Sequence, residues 1–251
     1  MALSAVLITK NEERNVERCL SSLMFCDEII VVDSFSTDKT IEIAKKYTEK
    51  VYQHSWEGYA AQKNFAISLS KNNWILSIDA DEEVPAELQK ELIELFQKEP
   101  DNSAYLIGRR TIHSGKWIKH GGWYPNRLVR LFDKRQGTWQ GGAVHEFWST
   151  KGPVSQMHND LLHYSFLNIS DQVERNNRYS TLGAQVLHDQ DAEFSVFKLV
   201  TKPIFKFIET YFLKRGFFDG YLGFIISVSA AYSVFLKWAK LWELLRDEKK
   251  N

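Results

Sequence analysis

The chain has 251 residues, no formal net charge, 44% hydrophobic and 25% charged residues, a globular balance that excludes a disordered or fibrous chain and argues against a nucleic-acid binder, which carries a basic excess. At this length about three-quarters of the unfolded surface can be buried without staples, and the two cysteines, Cys19 and Cys26, are too few for a disulfide framework or an all-cysteine zinc site. Aromatic residues reach 14%, which points to sugar-stacking surfaces or a membrane interface.

In chain order, no basic stretch precedes the short apolar run at residues 2–8, so no secretory leader is read there and a cytoplasmic location is expected. Ala5 to Thr9 is a β-branched apolar run and predicts a buried strand. Asn11 to Leu23 predicts a helix with Val16, Leu20 and Leu23 on one face, and Glu28 to Asp33 a second strand ending in an acid. Ser36 or Thr37 is the expected cap of the next helix, with Asp38 in its first turn and Ile41 to Tyr47 continuing it. Val51–Tyr52 reads as a brief third strand, Tyr59 to Ser70 as a helix, and Trp74 to Asp79 as a fourth strand. Pro85 opens a helix to Lys98 whose apolar stripe is Leu88, Leu92, Leu95 and Phe96. This alternation implies an α/β fold with right-handed crossovers and a mostly parallel sheet. Ligands of such sheets bind beyond the carboxyl ends of the strands, where Thr9 to Glu12, Asp33-Ser34 and Asp79-Ala80-Asp81 fall. No GxGxxG follows the first strand and no Walker lysine loop is present.

Asp79-Ala80-Asp81-Glu82-Glu83 is the sharpest motif. Two carboxylates at i and i+2 beyond a strand end suit a hard divalent cation, Mg²⁺ or Mn²⁺, that would also meet nucleotide phosphate. The plainer alternative is that Asp81 caps the helix begun near Pro85 and the other acids are solvated. Gly121-Gly122 and Gly141-Gly142 flank a basic stretch from which Arg127 and Arg130 are singled out as phosphate partners, since a planar guanidinium matches phosphate. Trp123 or Trp139 is either a sugar platform or a core aromatic.

Four segments, Ile8 to Glu12, Val31 to Thr40, Gln62-Lys63-Asn64 and Ile78 to Glu82, fall in an order that resembles the nucleotide-sugar half of family 2 inverting glycosyltransferases with the GT-A fold. Arg127 to Phe132, Ala143-Val144-His145-Glu146 and Leu162 to Ser165 are similar to segments of the WaaE-type lipopolysaccharide core β-glucosyltransferases. The resemblance implies a Rossmann-like GT-A sheet with a nucleotide-sugar half over 1–99, an acceptor and catalytic half over 100–194, and a helical extension over 195–251. It implies transfer of a hexose, glucose from UDP-glucose, to a lipid-linked saccharide such as an inner-core heptose. Thr9, Asn11, Glu12, Asp33, Lys63 and Asp79 then belong to the donor site, with Asp33 at the uracil edge and Lys63 near the diphosphate. Asp81 is the implied metal ligand, His163 completes the metal shell or touches the diphosphate, and Glu146 is the general base. One carboxylate suffices for a single inverting displacement; retention would need a second, nucleophilic one. Two departures stand out: Ser34 and Phe35 follow Asp33 where many members have a second acid, and His145-Glu146 replaces the usual Glu-Asp marker. The competing readings are a same-fold transferase acting on a capsule or protein acceptor, a nucleotidyltransferase, and a non-catalytic membrane-surface protein.

Residues 195–251 carry a net charge of +5, leaving −5 for the rest. An uncharged run of 17 residues, Gly220 to Leu236, sits at the lower limit for a membrane span. A helix in the interface or docked on the domain is favoured over a spanning one, with Lys237, Trp238, Lys240 and Trp242 suited to an anionic inner leaflet. A buried C-terminal helix is the alternative.

Overall fold

The computed structural model describes residues 2–141 and 146–248. They form two compact units, one from the residues up to Arg110 and Asn126–Tyr164, the other from Thr111–Pro125 and the residues from Ser165 onward.

In the first unit, β1 (Leu3–Thr9), β2 (Glu28–Asp33), β3 (Val51–Gln53) and β4 (Trp74–Asp79) lie in the order β3-β2-β1-β4, all parallel. Their apolar runs are continuous because both faces are covered. Leu3, Ala5 and Leu7 of β1 enter one core with Leu20, Leu88 and Leu92, while Val6 enters another with Ile30, Ala66 and Ile75. The connections are α1 (Val16–Ser21), α2 (Thr40–Ala44) and α3 (Tyr59–Ser68).

Helix α1 starts later than the sequence predicts. The backbone amides of Asn11, Glu12 and Glu13 donate to Ser36 Oγ (2.7 Å), Thr40 Oγ1 (2.7 Å) and Asp38 Oδ2 (3.1 Å). This stitching commits the segment to a loop, with Asn11 at φ +54°. Ser36 is thereby spent on β1's loop rather than on capping, and Asp38 receives the Thr40 amide at 3.0 Å.

Beyond β4 comes the two-residue β5 (Glu82–Glu83), then α4 (Ala86–Leu95), which buries Leu88 and Leu92 as its stripe predicts. Asp81 is not its cap: the helix begins at Ala86, and Asp81 sits against a strand edge. The sheet continues through β6 (Ala104–His113), whose end pairs with β7 (Lys116–Trp117), and through β8 (Asn126–Asp133). After the hairpin β9 (Gly137–Gln140) and β10 (Phe147–Thr150), β11 (Val154–Phe166) returns to it. Its full order is β3-β2-β1-β4-β8-β6-β11-β5. Parallel pairs join the first four strands, whereas β8 runs antiparallel to β4 and β6, and β5 antiparallel to β11, so the sheet is mixed.

Trp139 and Trp148 face each other across the hairpin and pack on Phe132, Trp148 stacked at 3.7 Å. Both are 6% exposed, so Trp139 is a core aromatic and not a sugar platform.

The second unit is built on α5 (Ile169–Asp189), α6 (Val196–Ile208) and α7 (Tyr221–Glu248). A π-helical turn (Glu209–Leu213) and a 3-10 turn (Gly216–Asp219) join α6 to α7, which packs on both α5 and α6. A Cβ on Gly223 would lie 1.8 Å from the Gly216 carbonyl oxygen, so only glycine permits this approach of α7 to the turn. The buried Asp219 carboxylate accepts from the amides of Lys119 and His120 (2.8 Å for His120) and lies 3.1 Å from His120 Nδ1, which fastens the 119–120 loop. By length and composition α7 is able to cross a membrane. Within the unit, however, Trp238 is buried with Ala184 and Leu241, and Lys240 donates to Asn177, Ser180 and Thr181 of α5. The expected Lys-Trp membrane belt is therefore in large part a packing seam.

Candidate active site

The carboxyl ends of β1, β2 and β4 bring the first set of candidates together. Thr9 Oγ1 donates to Asp33 Oδ1 (3.0 Å), and the Ser36 amide donates to Asp33 Oδ2 (2.7 Å). Asp33 is completely buried and Thr9 nearly so. Asn11 Oδ1 in turn accepts from the Thr37 amide (2.9 Å), and the Glu12 carboxylate accepts from Asn15 (3.0 Å). These side chains shape two loops at the sheet edge, with Phe35 left exposed at φ +58°.

The second set surrounds Asp79. Lys63, on α3, is 3% exposed, and its ammonium lies 3.3 Å from Asp79 Oδ1 and 2.9 Å from Glu146 Oε1. It also sits over the Trp139 ring at 4.6 Å, a favourable place for a cation. The next residue, Asn64, pins β9 from both sides: Nδ2 donates to the Trp139 carbonyl (2.9 Å) and Oδ1 accepts the Trp139 amide (3.0 Å). One turn of α3 thus holds both the hairpin and Glu146, which directly precedes β10. His145 lies outside the described residues.

Arg130, on β8, also reaches Asp79. On β6, Tyr105 pairs with Leu131 and Leu106 with Val129, which makes Arg130 the extra residue of a β-bulge. Bulges re-aim side chains next to sites. Here Arg130, 1% exposed, bonds to Asp79 and to Glu82 Oε1 (2.6 Å). Glu82 is completely buried; it also accepts the Asp79 amide (3.0 Å) and lies 3.5 Å from Arg109 Nη1. Burial alone would raise the Asp79 carboxyl, but Arg130, Lys63 and Arg109 outweigh it and hold Asp79 well below the usual carboxylate range. Burial opposes the Arg130 charge, and Asp79 and Glu82 outweigh it, raising Arg130 above its ordinary value. Arg130 is therefore an internal ion-pair partner and not an open phosphate clamp. Arg127, opposite Gly108, is exposed.

Asp81 and His163 form the third set. Glu82 pairs with His163 across β5 and β11, and the Tyr164 amide donates to the Asp81 carbonyl (2.9 Å). That register sets His163 Nε2 3.2 Å from Asp81 Oδ2. Among the described residues no group of three or more His, Cys, Asp or Glu side chains could hold a metal ion. Two donors do not make a structural zinc site. They do fit Mg²⁺ or Mn²⁺, which keeps waters and takes remaining oxygens from substrate phosphate.

Glu82, Arg109 and Asn64 are the members that sequence reasoning did not single out. Asn64 had a signal, its place beside Lys63 in a recognised segment. Glu82 stood in the acidic motif, but its pairing with Arg130 was not legible, because that partner lies 48 residues away.

Residues 4–157 match the sequence model of Glycosyl transferase family 2. A protein of Rickettsia typhi named as a glycosyltransferase is 35% identical over 96% of this chain and 87% of its own length. The chain belongs to glycosyl transferase family 2. Another family relative, the lipopolysaccharide core biosynthesis glycosyltransferase LpsC of Rhizobium meliloti, is 31% identical over 97% of this chain and 93% of its own. Among solved structures, S. aureus TarS 1-349 aligns with a TM-score of 0.48 at 14% identity, covering 98% of this chain and 92% of that one. The mixed α/β sheet lies largely within residues 4–157, the span that the family model matches.

Proposed function

We propose that this family 2 glycosyltransferase inverts the anomeric centre as it moves glucose from UDP-glucose to a lipid-linked saccharide, an inner-core heptose of lipopolysaccharide. The observation that carries the reading is the buried Lys63, whose ammonium spans Asp79 at the end of β4 and Glu146 beside β10. It joins a donor-site carboxylate to a carboxylate able to act on an acceptor. The name of the Rhizobium meliloti relative supports the acceptor class.

In this reading the Glu146 carboxylate takes the proton of an acceptor hydroxyl while that oxygen attacks the anomeric carbon from the face opposite the diphosphate. The bond from that carbon to the diphosphate breaks, and its electron pair leaves with UDP. Lys63, 2.9 Å from the Glu146 carboxylate, holds and aims it. Asp81 and His163 would hold Mg²⁺ or Mn²⁺, which would supply positive charge to the diphosphate leaving group. Asn11 and Glu12 border the nucleoside. Asp33, completely buried, acts as a positioning residue that fixes Thr9 and Ser36 beneath the uracil edge. Arg127 supplies an exposed guanidinium for phosphate. The chain works at the inner face of the cytoplasmic membrane.

Calorimetric titration of UDP and UDP-glucose, with and without Mn²⁺, tests this site. Metal-dependent UDP binding that falls at least tenfold in Asp81→Ala is the expected result. UDP binding indifferent to metal and to Asp81 would overturn the metal assignment, and binding of nucleoside triphosphates alone would favour a nucleotidyltransferase.

A further inference from the structure

The helix α6 has its polarity reversed for a surface helix. It buries no residue completely, and its outer stripe is apolar: Val196, Phe197, Val200, Ile204 and Phe205 are all exposed, Phe197 by 74% and Phe205 by 65%. Phe197, Val200 and Ile204 recur at i, i+3 and i+7 and share one face, with Val196 and Phe205 at its two margins. The π-helical turn extends it with Phe212 and with Leu213, 74% exposed. Aromatic contacts among Phe207, Phe212 and Phe224 then continue the patch to the start of α7. Monomeric proteins rarely leave a contiguous apolar surface of this kind uncovered.

The patch is framed by an excess of positive charge. Lys198, Lys202, Lys206, Lys214 and Arg215 outnumber Glu209 and Asp219 over residues 195–220. Burial, together with Lys202 and Lys206, depresses the neighbouring Lys237 ammonium, so positive charge is crowded on this hairpin. Glu209 is committed to Lys206 (3.0 Å) and Lys214, and Asp219 to the 119–120 loop. Large apolar side chains between flexible lysines make the pattern of a helix lying in a membrane interface, with its rings among acyl chains and its ammoniums at anionic headgroups.

We propose that the outer face of α6 and its π-helical turn seat this chain on an anionic phospholipid surface. This deepens the lipid-linked acceptor reading, on which its biological purpose rests, and it moves the contact from the Lys237–Trp242 segment to Phe197–Leu213. A protein that meets its acceptor at a membrane gains rate from such seating, because the acceptor search becomes two-dimensional.

The test is cosedimentation of the full chain with phosphatidylglycerol vesicles and with phosphatidylcholine vesicles, beside UDP titration of the same preparations. Wild type is expected to bind the anionic vesicles and not the neutral ones, with binding weakened at about 1 M salt. Phe197→Ser with Phe205→Ser lowers partitioning roughly a hundredfold, and Lys202→Glu weakens it on anionic vesicles alone. Both variants keep wild-type UDP affinity and circular dichroism, as substitutions on an exposed face should. Equal partitioning of wild type and the double serine variant overturns the proposal. So does a wild-type dimer that dissociates in the double serine variant without any vesicle binding, since a second copy then covers the face. Vesicle binding with no UDP binding would refute the transferase reading and leave the membrane face standing.

Discussion

Glu146→Gln is expected to lower the rate of sugar transfer by about 10²- to 10⁴-fold, the usual contribution of a positioned general base. Glutamine keeps the length and shape of the side chain and still accepts a hydrogen bond from Lys63, which lies 2.9 Å from the carboxylate in the wild type. What it loses is the capacity to take a proton. Asp79, Asp81 and His163 are untouched, so UDP affinity is expected to stay within about threefold of wild type. Single-turnover transfer and UDP titration on the same protein check both halves. A rate within tenfold of wild type would remove Glu146 from the base role, and a parallel loss of UDP affinity would show that it serves donor binding instead.

Arg130→Met is expected to produce the largest loss of stability of any single change near the site. Removing one partner of a buried ion pair leaves uncompensated charge and costs about 3–5 kcal/mol. Here the deserted groups are Asp79 and the completely buried Glu82. Arg109 and Lys63 retain part of the compensation, at 3.5 Å from Glu82 and 3.3 Å from Asp79, so the lower end applies. That corresponds to a Tm fall of roughly 6–12 °C for a chain of this size. The effect depends on pH. Asp79 is depressed in the folded state, so its contribution is complete above the unfolded value of about 3.9 and is lost as pH falls toward the lower folded value. Thermal melts at decreasing pH should therefore show the gap between wild type and Arg130→Met shrinking below about pH 4. A gap that is constant down to pH 2.5 would mean that Arg130 acts by packing alone.

The strands of the first hundred residues were legible because burial on both faces writes itself as uninterrupted apolar runs, as in Glu28 to Asp33. The sheet edge that carries the candidate site was legible for the same reason, since polar residues end each run. Non-local features were not. Helix α1 begins at Val16 because Ser36, Asp38 and Thr40, some 25 residues on, capture the amides that would have opened it. Glu82 stands in a row of acids that looks solvated, yet the β5–β11 register and the bulge at Arg130 bury it completely. Trp238 and Lys240 look like an interfacial belt until α5 supplies their partners. The apolar outer face of α6 was present in the sequence as periodicity, but only the position of α7 decides which side of it is covered.

The proton NMR signal of the anomeric centre reports the stereochemistry of transfer. The protein would be incubated with UDP-glucose, Mn²⁺ and a lipid-linked heptose acceptor, and the reaction followed to completion. Inverting transfer makes the α-linked donor signal decay while a β-linked product signal grows in step with UDP. An α-linked product, or no consumption of any UDP-hexose, would contradict it.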